Sequence, residues 1–294
     1  MTRVNREEVI MKLIAIDLDG TLLNSESVPS LNNLEAIKNT LSGNHIVVIC
    51  TGRASYDVAY LLGKEVKIPI IGVNGSTIHD HNGELLYKVC LDKFTCKKII
   101  DYFQENDMYF EIFTNEAIYS TYDGEGKLKA EMDIIKSENP NLDKNDLWKS
   151  AIQQIKQFGI KPTRNMNEIL EREIDVYKIM TFTYNEELLE KTRRYFSLEE
   201  KVSLTAASQR TVELIPKVAN KGAAVKFLSR HYNISLDDVI VIGDSYNDIS
   251  MFSVGGTKVA MGNAIDEIKK MSSIITNDND QDGVAYALNN LLGI

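Results

Sequence analysis

Short apolar runs that end at glycine or polar residues mark the beginning of the chain. Residues 12–16 form such a run before Asp17, and residues 45–50 form another before residues 51–53. Between the two runs, apolar residues recur at helical spacing behind Ser30, which occupies the position of a helix N-cap. Continuous apolar runs of this length are typical of parallel strands that are buried on both faces. The pattern therefore predicts a strand, a helix and a second strand in a βαβ unit.

The same alternation returns near the end of the chain. It predicts a helix at residues 221–231, a strand at residues 239–242 and two shorter strands at residues 258–261 and 273–276. A parallel sheet that is built from both ends leaves the middle of the chain as an insertion. We expect an α/β fold in which a Rossmann-like parallel-sheet core carries an inserted α+β cap domain.

The predicted domain boundaries follow the changes of pattern. Residues 1–10 are assigned to an N-terminal tail, residues 11–83 and 213–294 to the core, and residues 84–212 to the cap. Within the cap, the spacing predicts three strands and two amphipathic helices, at residues 108–113, 117–121 and 177–184 and at residues 93–104 and 186–196. Residues 123–126, Asp-Gly-Glu-Gly, are predicted to form a turn.

Composition and charge narrow the range of partners. The 294 residues are 44% hydrophobic and carry a formal net charge of -9, with the lysines and arginines scattered between acids. Nucleic acid is therefore not expected as a partner.

No apolar run is long enough to cross a bilayer, and the first ten residues do not resemble a signal peptide. The three cysteines form no Cys-x-x-Cys pair, so we expect reduced thiols and a cytoplasmic protein. The sequence does not determine the oligomeric state.

Polar side chains follow several of the predicted strands, and one begins a predicted helix. They are Asp17 and Asp19 after the first strand, Thr51, Gly52 and Arg53 after the second, Asp244, Asn247 and Asp248 after the strand at residues 239–242, and Lys221 at the helix start. Open α/β sheets bind ligands at the carboxyl ends of their strands. Side chains two positions apart on a strand share a face, so Asp17 and Asp19 are expected to address one small site.

These residues resemble the haloacid dehalogenase superfamily, whose four motifs match in order. The matching residues are Asp17-x-Asp19-Gly-Thr, Thr51, Lys221, and Gly243-Asp244 with Asp248. The resemblance extends from Met11 to the end of the chain and is closest to the Cof-like sugar-phosphatase branch, which has a large α+β cap. Supporting fragments are Asn74-Gly75, Glu213-Leu214-Ile215-Pro216, Met261-Gly262-Asn263-Ala264 and Asp282-Gly283-Val284-Ala285.

The resemblance implies a phosphatase that works through an aspartyl phosphate. Asp17 would attack phosphorus, and Asp19 would protonate the leaving group and later deprotonate the attacking water. A phosphate monoester is a dianion, and two like unit charges about 4 Å apart repel by roughly 4 kcal/mol at an effective dielectric near 20. A carboxylate nucleophile therefore needs cations beside it, and Lys221 would supply a fixed one.

The implied cofactor is Mg²⁺, which prefers oxygen ligands from carboxylates, waters and substrate phosphate. Asp17, Asp244 and the backbone carbonyl of Asp19 are the implied ligands, and Asp248 would either bind the ion or support the residues that do. Thr51, Gly52, Asn247 and Lys221 are the implied phosphate-binding residues. For Arg53 two roles remain open, a contact with phosphate and an ion pair within the protein.

The expected substrate is a small phosphomonoester. Sugar phosphates lead by resemblance, followed by pyridoxal phosphate and flavin mononucleotide. A phosphotransferase of the hexose phosphomutase type is an alternative, because transfer from aspartate to a second hydroxyl uses the same residues. A catalytically silent sensor of a phosphorylated metabolite is a further alternative, although a sensor would need neither the nucleophile nor the general acid.

Overall fold

The structure, a computed structural model, describes residues 10–63, 67–206 and 208–293. The predicted N-terminal tail lies outside the described residues except for Ile10. Contacts within the chain divide it into two units. The core unit contains the residues up to Cys50 and those from Gly222 onward, and the cap unit runs from Thr51 to Lys221.

Strands and helices alternate along the described residues. The strands are β1 (Leu13–Asp17), β2 (Ile46–Cys50), β3 (Ile70–Gly72), β4 (Thr77–His79), β5 (Leu85–Lys88), β6 (Phe110–Thr114), β7 (Ile118–Thr121), β8 (Ile160–Thr163), β9 (Val176–Phe182), β10 (Val202–Thr205), β11 (Thr211–Pro216), β12 (Val239–Gly243), β13 (Thr257–Ala260) and β14 (Ile274–Ile275). The helices are α1 (Leu31–Ser42), α2 (Ser55–Leu62), α3 (Lys93–Glu105), α4 (Gly124–Glu138), α5 (Lys144–Ile155), α6 (Asn167–Glu171), α7 (Glu186–Ser197), α8 (Lys221–His231), α9 (Ile249–Phe252), α10 (Asp266–Met271) and α11 (Gly283–Leu292).

The core unit is organised around parallel strands in the order β14, β13, β12, β1 and β2. Every residue of β1 and of β12 is buried, which explains why both read as unbroken apolar runs. Ser30 is the N-cap of helix α1, and its side chain accepts a hydrogen bond from Asn33 N. Helices α1 and α11 pack together, and the buried Asn33 side chain accepts a hydrogen bond from Ala285 N at 2.9 Å.

The parallel register fixes which residues end up at the same edge of this sheet. Ile16 pairs with Ile242, and Asp17 pairs with Cys50. Asp17 ends β1 and Gly243 ends β12, so Asp17 and Asp244 leave adjacent strands at their carboxyl ends. This is the edge at which open α/β sheets bind ligands.

The cap unit contains two groups of strands. Strands β3, β4 and β5 are antiparallel neighbours. The larger sheet has the order β10, β11, β9, β6, β7 and β8, and it is antiparallel except for the parallel pair β7 and β8. Helices α3, α6 and α7 contribute to one apolar cluster with this sheet, in which Phe103, Ile112, Ile179, Phe196 and Leu214 are fully buried.

The predicted fold class is confirmed, since a parallel-sheet core is accompanied by an α+β unit. The predicted cap strands at residues 108–113, 117–121 and 177–184 correspond to β6, β7 and β9 within about two residues. The predicted turn at residues 123–126 is wrong, because Gly124 begins the 15-residue helix α4. The cap boundaries at residues 84 and 212 stay a prediction; the contact-based cap unit begins earlier, at Thr51, and ends later, at Lys221. Among the described residues, no helix is long and apolar enough to cross a membrane.

Candidate active site

Three carboxylates of the core unit converge at the edge of the parallel sheet. Oxygen atoms of Asp17, Asp244 and Asp248 lie within 4.8 Å of one another. Asp17 and Asp248 are buried, and Asp244 is partly exposed. Carboxylates at this distance repel one another and are costly to bury as anions, so a cation is the natural partner for the group.

The Asp244 side chain is positioned by the loop that follows β1. Thr21 is fully buried, and its hydroxyl donates a hydrogen bond to Asp244 Oδ1 at 2.9 Å. Gly20 has a φ of +79°, and a Cβ built on it would lie 2.6 Å from Asp244 Oδ2. Asn263 supports the same loop by donating to the carbonyl of Gly20 at 2.8 Å. Only glycine therefore fits at position 20, both for its backbone conformation and for the space it leaves to the carboxylate.

Asp248 organises the loop that carries Asp244. Its Oδ2 accepts hydrogen bonds from the backbone N–H groups of Asp244, at 3.0 Å, and Ser245, at 3.1 Å. Gly243 packs so closely that a Cβ there would lie 2.6 Å from the same oxygen. One oxygen of Asp248 is thus committed to the loop backbone, which favours a supporting role for this oxygen over metal binding.

The chemistry of this group fits Mg²⁺. All three side chains offer hard oxygen donors, and neither histidine nor cysteine belongs to the cluster. Mg²⁺ usually binds through one or two carboxylates and completes its shell with waters and substrate oxygens. Two of the three carboxylates would supply that number.

Asp19 and Asn247 lie in the same unit as the carboxylate group. Asp19 is exposed, two residues beyond Asp17 on the loop after β1. Asn247 is partly exposed, and its Oδ1 accepts a hydrogen bond from the Ser245 hydroxyl at 2.9 Å. That bond orients the Asn247 amide so that its NH₂ group points away from Ser245.

In the cap unit, hydrogen bonds hold the segment Thr51-Gly52-Arg53 in place. The carbonyl of Thr51 accepts from Asn74 N at 2.8 Å, and the carbonyl of Arg53 accepts from Val73 N at 2.9 Å. The Thr51 side chain is buried and accepts from Arg53 N at 3.1 Å. The segment is therefore a tight, internally bonded loop.

Arg53 forms an ion pair in the structure. Its guanidinium donates to Asp57 at 2.9 Å, one turn further along, and Asp57 is 2% exposed. The other Asp57 oxygen accepts from Phe158 N at 2.9 Å. Of the two roles left open for Arg53, the structure contains the ion pair, and a contact with phosphate stays a prediction.

A buried ion pair lies beside the same loop and was not found from the sequence. Lys178 Nζ donates to Glu213 Oε1 and to the carbonyl of Gly52, both at 2.9 Å. Asn74 Nδ2 donates to Glu213 Oε2 at 2.6 Å. Asn74 and Glu213 belong to fragments that supported the resemblance, but Lys178 lies in an apolar strand pattern that gives no sign of such a role.

Two further titratable groups border the loop as neutral species. Burial, with smaller effects of Asp57 and Glu111, raises the pKa of Tyr56 far above its ordinary value. Burial lowers the pKa of His79, whose ring lies 3.5 Å from the Ser55 hydroxyl. Neither side chain adds a charge near Thr51 at neutral pH.

Lys221, the predicted fixed cation, lies at the first position of α8 and is almost completely buried.

The family model for haloacid dehalogenase-like hydrolases matches residues 14–288. The chain belongs to the haloacid dehalogenase-like hydrolases. The predicted family is thus confirmed, and the match includes all nine residues predicted for the site. For this haloacid dehalogenase-like hydrolase, the structure brings Asp17, Asp244 and Asp248 together, while the individual roles stay predictions.

Relatives of this haloacid dehalogenase-like hydrolase include proteins that are named phosphatases. It is 44% identical over 282 residues to the 5-amino-6-(5-phospho-D-ribitylamino)uracil phosphatase YwtE of Bacillus subtilis, a match that covers 96% of this chain and 98% of the relative. It is 38% identical over 287 residues to the phosphatase YwpJ of the same organism, covering 96% of this chain and 100% of the relative. A solved haloacid dehalogenase-like hydrolase from Bacillus subtilis is 37% identical and superposes with a TM-score of 0.84, covering 96% of this chain and 100% of that one.

Proposed function

We propose that this protein is a Mg²⁺-dependent phosphatase that hydrolyses a small phosphomonoester through a phosphorylated Asp17. The observation that carries the proposal is the convergence of Asp17, Asp244 and Asp248 within 4.8 Å at the ligand-binding edge of a parallel sheet. The phosphatase names of its relatives support the reaction class.

The bound Mg²⁺ would neutralise charge on the phosphate and on the attacking carboxylate. Asp17 and Asp244 would hold it, together with the backbone carbonyl of Asp19. Asp248 would keep the Asp244 loop in shape through the two backbone hydrogen bonds that it accepts. The burial of Asp17 keeps bulk water from the nucleophile.

Proton transfer falls to Asp19 in this proposal. Asp17 would form the bond to phosphorus as the bond to the leaving oxygen breaks, and Asp19 would give that oxygen its proton. Asp19 would then take a proton from the water that attacks phosphorus and releases Asp17. The exposed position of Asp19 suits a group that must reach a leaving group and a water in turn.

Phosphate oxygens would be bound by Thr51, Gly52, Asn247 and Lys221. These groups offer a hydroxyl, a backbone N–H, an amide and an ammonium, and each can donate to an anionic oxygen. Donors that are fixed before substrate arrives stabilise the transferring phosphoryl group without reorganisation.

The leading substrate candidate is 5-amino-6-(5-phospho-D-ribitylamino)uracil. The relative that is 44% identical along nearly its whole length carries this compound in its name, as do two more distant relatives from Bacillus subtilis. Its phosphate is esterified to an open-chain sugar alcohol, so it is close in chemistry to the sugar phosphates expected from the sequence. Flavin mononucleotide has a ribityl phosphate as well, and it stands ahead of pyridoxal phosphate for this reason.

The decisive experiment measures phosphate release with and without Mg²⁺ for wild type, Asp17→Asn and Asp237→Asn. Asp237 is an exposed carboxylate of the core unit and serves as the matched control. We expect turnover that requires Mg²⁺, is lost in Asp17→Asn and is unchanged in Asp237→Asn. The substrate panel contains p-nitrophenyl phosphate, the ribitylaminouracil phosphate, hexose phosphates, flavin mononucleotide and pyridoxal phosphate. Folded wild type without turnover on any of them would contradict the proposal.

The same panel, assayed with and without an added sugar bisphosphate, separates the alternatives. A hexose phosphomutase-type enzyme would transfer phosphate to a second sugar hydroxyl and would be stimulated by a sugar bisphosphate. A silent sensor would bind a panel member without releasing phosphate.

We also propose a cytoplasmic location, because the cysteines form no Cys-x-x-Cys pair and are expected to be reduced, and because the proposed substrate is a small metabolite.

A further inference from the structure

The buried ion pair of Lys178 and Glu213 also contacts the backbone of the Thr51-Gly52-Arg53 loop. Lys178 lies on β9 and Glu213 on β11, and their side chains are 3% and 2% exposed. Glu213 pairs in register with Met180, two residues from Lys178, so the two charged side chains are diagonal neighbours on one face of the sheet. The ammonium also reaches across to the carbonyl of Gly52, 126 residues away in sequence.

Hydrogen bonds from three different donors fix three successive carbonyls of the predicted phosphate-binding loop, Thr51-Gly52-Arg53. The carbonyls of Thr51, Gly52 and Arg53 accept hydrogen bonds from Asn74 N, Lys178 Nζ and Val73 N, respectively. In a trans peptide the C=O and the next N–H point in opposite directions. Fixing the carbonyl of Thr51 therefore fixes the direction of Gly52 N–H. The Lys178 bond fixes the next peptide, whose N–H belongs to Arg53 and donates to the Thr51 hydroxyl oxygen at 3.1 Å, so it positions the Thr51 side chain.

The other end of the pair is tied to the segment that packs against the loop. Glu213 accepts from the Asn74 side chain, and Asn74 has a φ of +54°. A Cβ on Gly52 would lie 3.2 Å from the Asn74 amide oxygen, so loop and amide are in close contact. Lys178 and Glu213 thus hold both sides of this contact at once.

The Lys178 side chain is fully engaged by its surroundings. Its ammonium has a carboxylate and a carbonyl as acceptors and lies 4.0 Å from the centre of the Phe113 ring. Apolar residues of similar volume can often replace a buried ion pair at no cost to stability, so stability alone does not account for this pair. Its contact with the Gly52 carbonyl points instead to the geometry that it imposes on the loop.

We propose that Lys178 and Glu213 are positioning residues that orient the Thr51-Gly52-Arg53 loop for binding the transferring phosphate. The inference rests on the proposed function, in which the Thr51 hydroxyl and Gly52 N–H donate to phosphate oxygens. Neither side chain needs to contact substrate, since both act through the loop and Asn74. A displacement of about 1 Å in such a donor can reduce the rate by about a hundredfold.

The test compares Lys178→Met, Glu213→Gln and the double variant Lys178→Met/Glu213→Gln with wild type. Lys178→Met removes the donor to Gly52 but leaves the Glu213 carboxylate buried without its cation. The double variant removes both charges and keeps an oxygen that accepts from Asn74. Lys98→Met is the control, because it removes a cap ion pair, with Glu199, that makes no contact with the loop.

Four quantities are measured for each variant: the melting temperature, kcat and KM for p-nitrophenyl phosphate with Mg²⁺, and the inhibition constant of orthophosphate. We expect Lys178→Met to lower both the melting temperature and kcat/KM, the latter at least about tenfold, and to raise the inhibition constant of orthophosphate. The double variant should recover the melting temperature but not kcat/KM. Glu213→Gln, which keeps the bond from Lys178 to Gly52, should lose less activity than Lys178→Met.

A purely structural pair gives a different result. If kcat/KM recovers together with the melting temperature in the double variant, or if folded Lys178→Met keeps wild-type kcat/KM, the inference is overturned. If wild type shows no turnover, the proposed function fails, and calorimetric titration with orthophosphate and Mg²⁺ tests the inference separately. Orthophosphate binding that is weakened in Lys178→Met but not in Lys98→Met would then support the inference. The absence of orthophosphate binding by wild type would overturn both.

Discussion

The hydroxyl of Thr21 donates a hydrogen bond of 2.9 Å to Asp244 Oδ1, joining the loop after β1 to the loop after β12. The donor is fully buried and the acceptor is a predicted metal ligand. A hydrogen bond to a charged group contributes about 1.5–3 kcal/mol, more than one between neutral groups. Thr21 thus fixes the orientation of a carboxylate that the metal would otherwise have to order.

Replacing Thr21 should weaken metal binding more than it weakens the fold. Thr21→Val keeps the shape of the side chain and removes the donor, so we expect the Mg²⁺ concentration for half-maximal activity to rise about tenfold or more. Thr21→Ser keeps the hydroxyl and should remain close to wild type. Activity titrated with Mg²⁺ measures the shift, and equal Mg²⁺ requirements for Val and Ser would contradict this role for the hydroxyl.

Gly20→Ala should be far more damaging than its size suggests. The new methyl group would meet Asp244 Oδ2 at 2.6 Å, and the φ of +79° costs about 1–3 kcal/mol for a residue with a side chain. We expect Mg²⁺-dependent turnover to fall by more than about tenfold. Gly83→Ala is the matched control, because Gly83 has a similar φ of +83° with nothing within 4 Å of the added Cβ. Urea denaturation of both variants measures the cost of backbone strain, and steady-state kinetics measures the effect of displacing Asp244. If Gly20→Ala and Gly83→Ala lose turnover equally, the contact between position 20 and the Asp244 carboxylate does not control activity.

The parallel core and its carboxylates were predictable from the sequence because their signals are local. Strand β1 is buried on every residue, so its apolar run is continuous, and the acids that follow it must emerge at the sheet edge. The same holds for β12 and Asp244. In the folded sheet β12 lies beside β1, and this adjacency places Asp17 and Asp244 at the ends of neighbouring strands.

Features that depend on tertiary contacts could not be predicted in this way. The Asp-Gly-Glu-Gly segment has the composition of a turn, yet it begins α4, and a Cβ on Gly124 would lie 2.4 Å from the Tyr109 ring. Gly124 therefore permits close packing and does not form a turn. Lys178 is similar, since its partners Glu213 and Gly52 are 35 and 126 residues away and only the folded sheet brings them to it.

Asp92 should make the cap unit sensitive to acid. It is the N-cap of α3, and hydrogen bonds from Thr95 and the pair with Lys201 lower its pKa from 3.8 to about 2. Because the folded-state pKa is depressed, its stabilisation is fully present above the unfolded value and is lost as the pH falls through about 2. Asp92→Ala should therefore cost about 1 kcal/mol at pH 7 and progressively less between pH 4 and pH 2.

Urea denaturation across this pH range measures the effect of Asp92. Asp101→Ala is the control, since Asp101 forms an exposed pair with Lys97 within α3 and caps no helix. Exposed pairs of this kind contribute little, so its loss should be small at every pH. A difference between Asp92→Ala and wild type that persists unchanged at pH 2 would contradict the assignment.

Asp248 and Asp244 should respond differently to the loss of charge. Asp248 Oδ2 accepts from two backbone N–H groups, and an asparagine oxygen can accept the same two bonds. Asp248→Asn should therefore raise the Mg²⁺ requirement by much less than Asp244→Asn, whereas Asp248→Ala should reduce activity strongly because the Asp244 loop loses both acceptor contacts. Activity titrated with Mg²⁺ for the three variants ranks them. If Asp248→Asn shifts the requirement as far as Asp244→Asn, then Asp248 binds the ion directly, and its second oxygen is the ligand.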